Sequence, residues 1–552
     1  MTKIIPRITC VFLLQMAIAQ PAISQGEPFG FRVVTNGLSF PWEITWGPDN
    51  YIWCTERTGK RVTRIHPSTG VKTTAVTIAE VYQTAGQDGL LGMALHPNLL
   101  RGTNEDYVYV AYTYSINGTD AGRRVRIRRY TYNAATETLG SPVNLISNLS
   151  ASNDHNSGRL KFGPDDKLYY THGDQGANQF NNRCNDILSQ DLPTAAEVTA
   201  QNWSNYPGKI LRMNLDGTIP SDNPVINGVR SHIYSYGHRN VQGLVFSPGG
   251  ALFACEHGPR SDDELNLILP GKNYGWPRVA GYNDNRNYQY IIWSSSPECN
   301  TTAYGEATIP NGATVMNEST FSAPDFEPPI FTMFTRNAGY TFNSDFVQWP
   351  TVAPSSVDYY NVGASGIPNW GRSLLVVSLK KGLVYRVLLG TNGLTVPGDT
   401  IPYWYTQNRY RDLAMNPDKR TFYIATDNTG STSGPSGSST TTLNNPGAIL
   451  EFQYTGILSL PAEQTRPVRL RQLHVEVYPN PVSEFIWVKT ATGMKLPLTY
   501  QLTNGEGIVA AQGVSLQEKF SIPVKKLPAG IYVLKLFDHN GAWVGYERVI
   551  KL

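Results

Sequence analysis

The feature that most constrains this chain is a loose internal repeat: an apolar strand, a turn built on Pro followed by Asp, Asn or Gly, and a second strand rich in aromatic residues. It runs through Glu43-Ile44-Thr45-Trp46-Gly47-Pro48-Asp49-Asn50 before Tyr51-Ile52-Trp53, and through Leu95-His96-Pro97-Asn98 before Tyr107-Val108-Tyr109-Val110. It recurs at Leu160-Lys161-Phe162-Gly163-Pro164-Asp165, at Leu244-Val245-Phe246-Ser247-Pro248-Gly249 and at Leu413-Ala414-Met415-Asn416-Pro417-Asp418. A degenerate copy around Trp370 to Arg386 completes six. Several units add a later strand of alternating character, such as Arg61-Val62-Thr63-Arg64-Ile65 and Lys209-Ile210-Leu211-Arg212-Met213. Period-two alternation with frequent turn residues specifies short antiparallel strands. Radial repetition of such sheets gives a propeller of roughly 4–8 blades whose loops gather at the ends of its axis. The reading is all-β, a six-bladed β-propeller; a sandwich with insertions is the competing architecture.

Of 552 residues, 40% are hydrophobic and only 16% charged, so most of the chain can fold. The formal net charge is +3 and no long basic run is present, which argues against nucleic acid and membrane surfaces as partners. Lys3 and Arg7 precede an apolar run from Ile8 to Ile18 and small residues at Ala17, Ala19 and Ser24, so 1–24 reads as a signal peptide. No later run approaches the ~20 apolar residues of a spanning helix, and the expected product is exported, not membrane-spanning. The propeller is placed at 28–456, a Pro-containing linker at 457–473 and a compact β-sandwich at 474–552. Gly430 to Thr442 reads as a flexible surface excursion. Cys54, Cys184, Cys255 and Cys299 lack zinc or redox spacing, and their pairing is left open.

Four constellations sit on loops next to strands. Asp154-His155 can form a base oriented by an acid. Gly237-His238-Arg239-Asn240 offers donors to a developing oxyanion or a quinone oxygen. Lys380-Lys381 and Arg409-Tyr410-Arg411 would converge on a polycarboxylated ligand if their blades share an axis. The acidic, carbonyl-rich stretch Gly258-Pro259-Arg260-Ser261-Asp262-Asp263-Glu264, with Tyr274 and Tyr282-Asn283-Asp284, has the hard oxygens that calcium takes, about 6–8 of them. Each alone also reads as ordinary solvated polarity.

Taken in order, these stretches resemble the soluble PQQ-dependent glucose dehydrogenases, also called glucose/sorbosone dehydrogenases. The resemblance runs from about Leu38 to Tyr454 and includes Gly86-Gln87-Asp88-Gly89-Leu90-Leu91-Gly92, Gly173-Asp174-Gln175-Gly176, Asn273-Tyr274-Gly275-Trp276-Pro277 and Ser378-Leu379-Lys380. It implies pyrroloquinoline quinone (PQQ) and calcium as cofactors and a small sugar oxidised at its anomeric carbon to a lactone, with electrons passed to an external acceptor. His155 would take the anomeric hydroxyl proton, Asp154 and Gln87 would position sugar and base, and Arg239 would stabilise the quinone oxygen. Asn240, Thr351, Lys380, Arg409 and Arg411 would hold the cofactor, while Gln179, Trp349 and Phe346 would flank the sugar. The carbonyls of Gly258 and Pro259 would bind calcium at the cofactor, and Glu264, Tyr274, Ala280, Tyr282, Asp284 and Glu318 would form further calcium sites. Phe346 stands where well-known members carry a tyrosine, so the identity of the sugar stays open.

The C-terminal segment is similar to the sorting domain read by the type IX secretion system, through Val477-Tyr478-Pro479-Asn480-Pro481-Val482 and Leu527-Pro528-Ala529-Gly530-Ile531-Tyr532. It implies a secreted or cell-surface protein with the secretion machinery as partner; a homodimer is left open. The competing functions are a non-catalytic carbohydrate-binding propeller and a calcium-dependent propeller lactonase. The joint presence of His, Arg and Lys residues suited to an anionic quinone favours the dehydrogenase.

Overall fold

The computed structural model describes residues 27–305, 307–361, 366–398, 400–456, 476–490, 496–504, 509–537 and 543–552. It divides into two compact units, Met1–Leu458 and Ser459–Leu552. The expected signal peptide and linker lie outside the described residues.

Among the described residues the first unit contains six four-stranded antiparallel sheets. In strand order, blade 1 is Pro41–Trp46, Ile52–Glu56, Arg61–Ile65 and Lys72–Thr77, and blade 2 is Leu90–Leu95, Tyr107–Ser115, Arg123–Asn133 and Thr138–Ser150. Blade 3 is Ser157–Phe162, Leu168–His172, Lys209–Met213 and Ile233–Tyr236; blade 4 is Val241–Phe246, Leu252–Glu256, Asp263–Ile268 and Phe331–Met333. Blade 5 is Pro354–Tyr360, Ser373–Ser378, Leu383–Leu388 and Thr400–Tyr403. Blade 6 is Tyr410–Met415, Thr421–Thr426 and Ile449–Tyr454, completed by the N-terminal strand Phe29–Thr35, which pairs with the last of these from Phe29↔Tyr454 to Val33↔Leu450. The first strands touch one another around a closed ring, which makes the architecture a six-bladed propeller. They approach so closely that a Cβ on Gly92 would lie 2.1 Å from the Gly158 carbonyl, and one on Gly243 would lie 2.4 Å from the Val357 nitrogen. Only glycine fits there.

The core consists of six wedges, one between each pair of neighbouring blades. Alternate residues of a second strand enter opposite wedges: Phe253 and Cys255 face blade 5, Leu252 and Ala254 face blade 3. Strands buried on both faces read as continuous apolar runs. That is why the turns, more than the alternation, reveal the repeat. The degenerate copy is the second and third strands of blade 5, whose first strand is separated from them by residues 361–372 instead of a Pro-Asp turn.

Deep on the axis, Arg159 ties the ring together. Its guanidinium lies 2.5 Å from Glu43 Oε2 and 3.2 Å from Asp412 Oδ2, donates to the carbonyls of Gln242 (2.9 Å) and Ser355 (3.0 Å), and sits 4.6 Å over the Trp42 ring. The Gly430–Thr442 segment is not a free excursion: Thr432 and Ser433 are buried and both bond the Lys380 carbonyl, which leaves the tip exposed.

In the second unit, Glu476–Tyr478, Phe485–Lys489 and Lys519–Pro523 form one sheet, and Val509–Ser515, Leu498–Asn504, Gly530–Phe537 and Trp543–Lys551 another. Ile486, Val488, Leu502, Ile522, Leu534 and Leu536 interdigitate in its core, as a sandwich requires.

Candidate active site

Antiparallel pairing places the start of each first strand and the end of each second strand at the same end of a blade. Gln87, Asp154-His155, Arg239-Asn240, Thr351 and Arg409 lie just ahead of first strands, and Arg411 is the second residue of one. Gln179, Gly258-Pro259 and Lys380 follow second strands. Residues scattered over 300 positions therefore share one mouth.

At its centre is an imidazole held by carboxylates. His155 Nδ1 bonds Asp174 Oδ1 (2.8 Å), and the other Asp174 oxygen accepts from Trp276 Nε1 (2.8 Å). Donation from Nδ1 to the carboxylate leaves the Nε2 lone pair outward, where the Gln179 amide lies 3.2 Å away. Gln179 also donates to Asp154 Oδ2 (2.8 Å) and accepts from Arg239 Nη2 (3.0 Å), while Gln87 donates to Asp154 Oδ1 (2.5 Å). His155 is 5% exposed and has φ of +44°, a left-handed conformation uncommon outside glycine. Arg239 is fixed from behind by its backbone N–H on Glu256 Oε2 (2.7 Å), and its guanidinium sits 5.2 Å over Trp276.

The cations around this centre are short of counter-charge. Arg239 has no carboxylate partner among the described residues, and its buried Nε has no hydrogen bond. Lys380 donates to the carbonyls of Phe346 (3.2 Å) and Trp349 (2.8 Å) and to the Thr351 hydroxyl; burial lowers its ammonium below the ordinary lysine value, and Asp263 only partly opposes this. Arg411 clasps Asp427 bidentately (2.9 and 2.8 Å), and Arg409 leans on the same carboxylate at 3.5 Å. Burial works against Asp427's charge, yet Arg411, Arg409 and Arg57 together hold its carboxyl below the usual range. His257, absent from the sequence reading, sits among Arg239, His155 and Arg411. Burial first, then the neighbouring Arg239 and Arg411 guanidinium groups, push its imidazole well below the ordinary histidine value, while Nε2 bonds the Pro354 carbonyl at 3.1 Å.

The expected metal ligands form two oxygen-rich hollows. A Cβ on Gly258 would lie 2.0 Å from the Ser261 carbonyl oxygen and 2.6 Å from that of Asp262, so main-chain oxygens converge there. Glu318 is fully buried, with Oε1 on the Ala280 N–H (3.0 Å) and Oε2 unpartnered; burial, then Asp284 and Asp262, raise its carboxyl to about 7. Glu264 accepts from the Gly281 N–H (2.7 Å) and is raised by burial and by Glu256. Among the described residues no three His, Cys, Asp or Glu side chains form a metal cage by themselves, so a cation here needs carbonyl ligands as well. The buried Glu318 oxygen without a hydrogen-bond partner is the kind of hard donor that calcium takes, as are the carbonyls converging at Gly258. The Tyr274 phenol is spent on the Leu267 carbonyl (2.6 Å), which leaves only its main chain as a ligand. Asp284 binds the Arg286 N–H (2.9 Å), and Tyr282 is 38% exposed.

A cavity of about 610 Å³ opens from Gln179, Arg239 and Pro259 beneath Trp276, Trp293, Tyr304 and Phe342. A smaller hollow of about 40 Å³ lies against Gln87, Ser157 and Arg411. Trp349, bonded to the Asn343 carbonyl (2.6 Å), and the exposed Phe346 stand on the loop that Lys380 fastens, and the structure does not bring them against the His155–Gln179 network.

A six-bladed propeller with an acid-backed imidazole among under-neutralised cations at one end of its axis is the architecture of a propeller dehydrogenase. Residues 38–333 match the family model for glucose/sorbosone dehydrogenase, and 476–551 match the secretion system C-terminal sorting domain. The chain is 42% identical over 448 residues to quinoprotein glucose dehydrogenase B of Acinetobacter calcoaceticus, covering 79% of this chain and 93% of that one. The PQQ-bound aldose sugar dehydrogenase of Streptomyces coelicolor superposes with a TM-score of 0.53 at 26% identity, over 78% of this chain and 99% of that one. The apo-form aldose sugar dehydrogenase of Escherichia coli shares the fold, with a TM-score of 0.54 at 23% identity over 77% and 99%. The chain belongs to the glucose/sorbosone dehydrogenase family and is an oxidoreductase of the sugar dehydrogenase class. It carries a secretion sorting domain, and no helix among the described residues is long and apolar enough to cross a membrane.

Proposed function

We propose that this protein oxidises an aldose at its anomeric carbon to the lactone, using PQQ and calcium, and passes the electrons to an external acceptor. The observation that carries the reading is the His155 imidazole, backed by Asp174 and set among cations of which Arg239 and Lys380 meet no carboxylate and Arg409 and Arg411 share one. Lys380, Arg409, Arg411, Asn240 and Thr351 would hold the cofactor's carboxylates and carbonyls, as the buried, partly unpaired donors suggest. When bound, the quinone supplies the two-electron acceptor for the hydride that leaves the anomeric carbon, and calcium polarises it.

The protein's own residues do the rest. The sugar's anomeric hydroxyl replaces the Gln179 amide at His155 Nε2, and that nitrogen takes its proton. The Nδ1 proton stays on the ring and is donated in a hydrogen bond to Asp174, whose charge stabilises the imidazolium; proton transfer to a base positioned this way contributes roughly 10²–10⁴-fold. Asp154, braced by Gln87, orients the sugar through hydrogen bonds. Arg239 places positive charge where negative charge develops. Trp349 and Phe346, on the loop that Lys380 fastens, would flank the sugar, as the family resemblance implies. Calcium at the cofactor would draw on the carbonyls of Gly258 and Pro259, and a structural calcium would draw on Glu264, Ala280, Tyr282, Asp284 and Glu318, with the Tyr274 carbonyl. Export through an N-terminal signal and a type IX pathway agrees with a tightly bound cofactor rather than a diffusible nicotinamide.

Dye-linked oxidation of an aldose panel by the apo-protein, with and without PQQ and calcium, tests the proposal. Activity that requires both supports it. Failure of the protein to bind PQQ overturns it in favour of a carbohydrate-binding propeller.

A further inference from the structure

Among the described residues, Gln179 alone has a side chain that bonds Asp154, His155 and Arg239 together. Its backbone neighbours are both left-handed, Asn178 at φ +63° and Phe180 at φ +44°. For a bulky side chain such as Phe180 this conformation is strained and persists only where surrounding contacts over-determine it.

Those contacts come from another blade. The long connection between Asp263–Ile268 and Phe331–Met333 of blade 4 lays residues 291–304 over the blade 3 loop. Asn178 donates to the Ile291 carbonyl and accepts from the Trp293 N–H, both at 2.9 Å. Arg183 donates to the carbonyls of Cys299 and Asn300, both at 2.8 Å. The Phe180 ring packs 5.0 Å from Tyr304, which packs 5.2 Å from Trp293. Cys184 and Cys299, 115 residues apart in sequence, close the contact as a disulfide with Cα atoms 5.7 Å apart. This bridge spans none of the six wedges that hold the blades together. What it does span is the five-residue reach from Cys184 to Gln179.

We propose that the Cys184–Cys299 disulfide is a positioning latch for the reaction. By fastening the blade 4 insertion onto the blade 3 loop, it holds Gln179 on Asp154 and Arg239, beside the Nε2 lone pair that the sugar hydroxyl takes over, so that base and cation meet the sugar in one register. Without it the propeller stays folded, but the loop loses its brace and Gln179 its place. Cys184 is partly exposed, so a reductant can reach the bridge. The inference rests on the dehydrogenase reading above.

The test uses the full chain loaded with PQQ and calcium, as wild type, as Cys184→Ser/Cys299→Ser, as Gln179→Ala, and with all three substitutions combined. Loss of the disulfide lowers kcat/KM by between about tenfold and a hundredfold, the scale on which displaced positioning groups act. The combined variant is no worse than Gln179→Ala alone, because the latch acts through that residue. Hydrogen exchange over residues 177–187 accelerates on reduction of the wild type, while the blade strands stay protected. Unchanged kcat/KM, losses that multiply in the combined variant, or unchanged exchange in that loop each overturn the latch. If wild type binds PQQ yet oxidises no aldose, the functional reading fails instead, and the exchange measurement alone decides the latch.

Discussion

Two sets of buried cations lie along the propeller axis, and they are neutralised in opposite ways. Arg159, deep between the first strands, meets two carboxylates, two carbonyls and an aromatic face, so its charge is answered within the protein. Arg239, Lys380 and Arg409, at the mouth, meet carbonyls, an amide and one shared carboxylate, and the buried Nε of Arg239 has no hydrogen-bond partner. A buried charge without a counter-charge is costly, so such groups persist where a ligand supplies what the fold omits. The same residue types therefore mean architecture in one place and binding in the other.

The sharpest way to break this contrast is Arg159→Met. It removes the cation and strands Glu43 and Asp412, so stability should fall by about 3–5 kcal/mol, the usual cost of unpairing a buried ion cluster. Urea denaturation of the apo-protein measures it, and a loss below about 1 kcal/mol would mean that the axial cluster is not structural. His155→Ala separates binding from turnover at the mouth. We expect kcat to drop by about 10²–10⁴ while PQQ affinity is kept; lost affinity would place the histidine in cofactor binding. Lys380→Met should cost about tenfold to a hundredfold in PQQ affinity, the range of a hydrogen bond to a charged group. Unlike Arg159→Met, it should leave the apo-protein's melting temperature no lower than wild type. A destabilised apo-protein would show that Lys380 braces the Phe346–Thr351 loop more than it waits for a ligand.

The fold was legible wherever its signal was local. Pro-Asp, Pro-Asn and Pro-Gly turns marked five blades because a tight turn is specified by adjacent residues. Blade 5 was nearly hidden because residues 361–372 replace that turn, and closure by Phe29–Thr35 was invisible because its partner strand ends at Tyr454. The site residues stood out through resemblance, each motif being a short loop before a strand. What could not be read was set between loops distant in sequence: Asp174 as the partner of His155, His257 beside Arg239 and Arg411, and the pairing of Cys184 with Cys299. Gly430–Thr442 looked loose by composition, yet Thr432 and Ser433 are held by the Lys380 carbonyl, a contact no local pattern encodes.

The smallest effect offers the finest test of unanswered charge. Burial holds Lys380 below its ordinary value in the folded apo-protein, whereas the unfolded chain titrates it near the ordinary ~10.4. Between those two values the unfolded chain binds more protons than the native one, so apo-protein stability must rise with pH across that window. Below the lowered value the full cost of the buried ammonium is present; above ~10.4 it is gone. A cofactor carboxylate beside Lys380 would favour the charged form, raise its value again and flatten the slope. Melting temperatures of apo and PQQ-loaded protein across this alkaline window should therefore converge as pH rises, and Lys380→Met should remove Lys380's share of the apo-protein slope, leaving that of Lys209, whose buried ammonium is lowered likewise. An apo-protein as flat as the loaded one would mean that the mouth's charge is already answered, and the distinction from Arg159 would collapse.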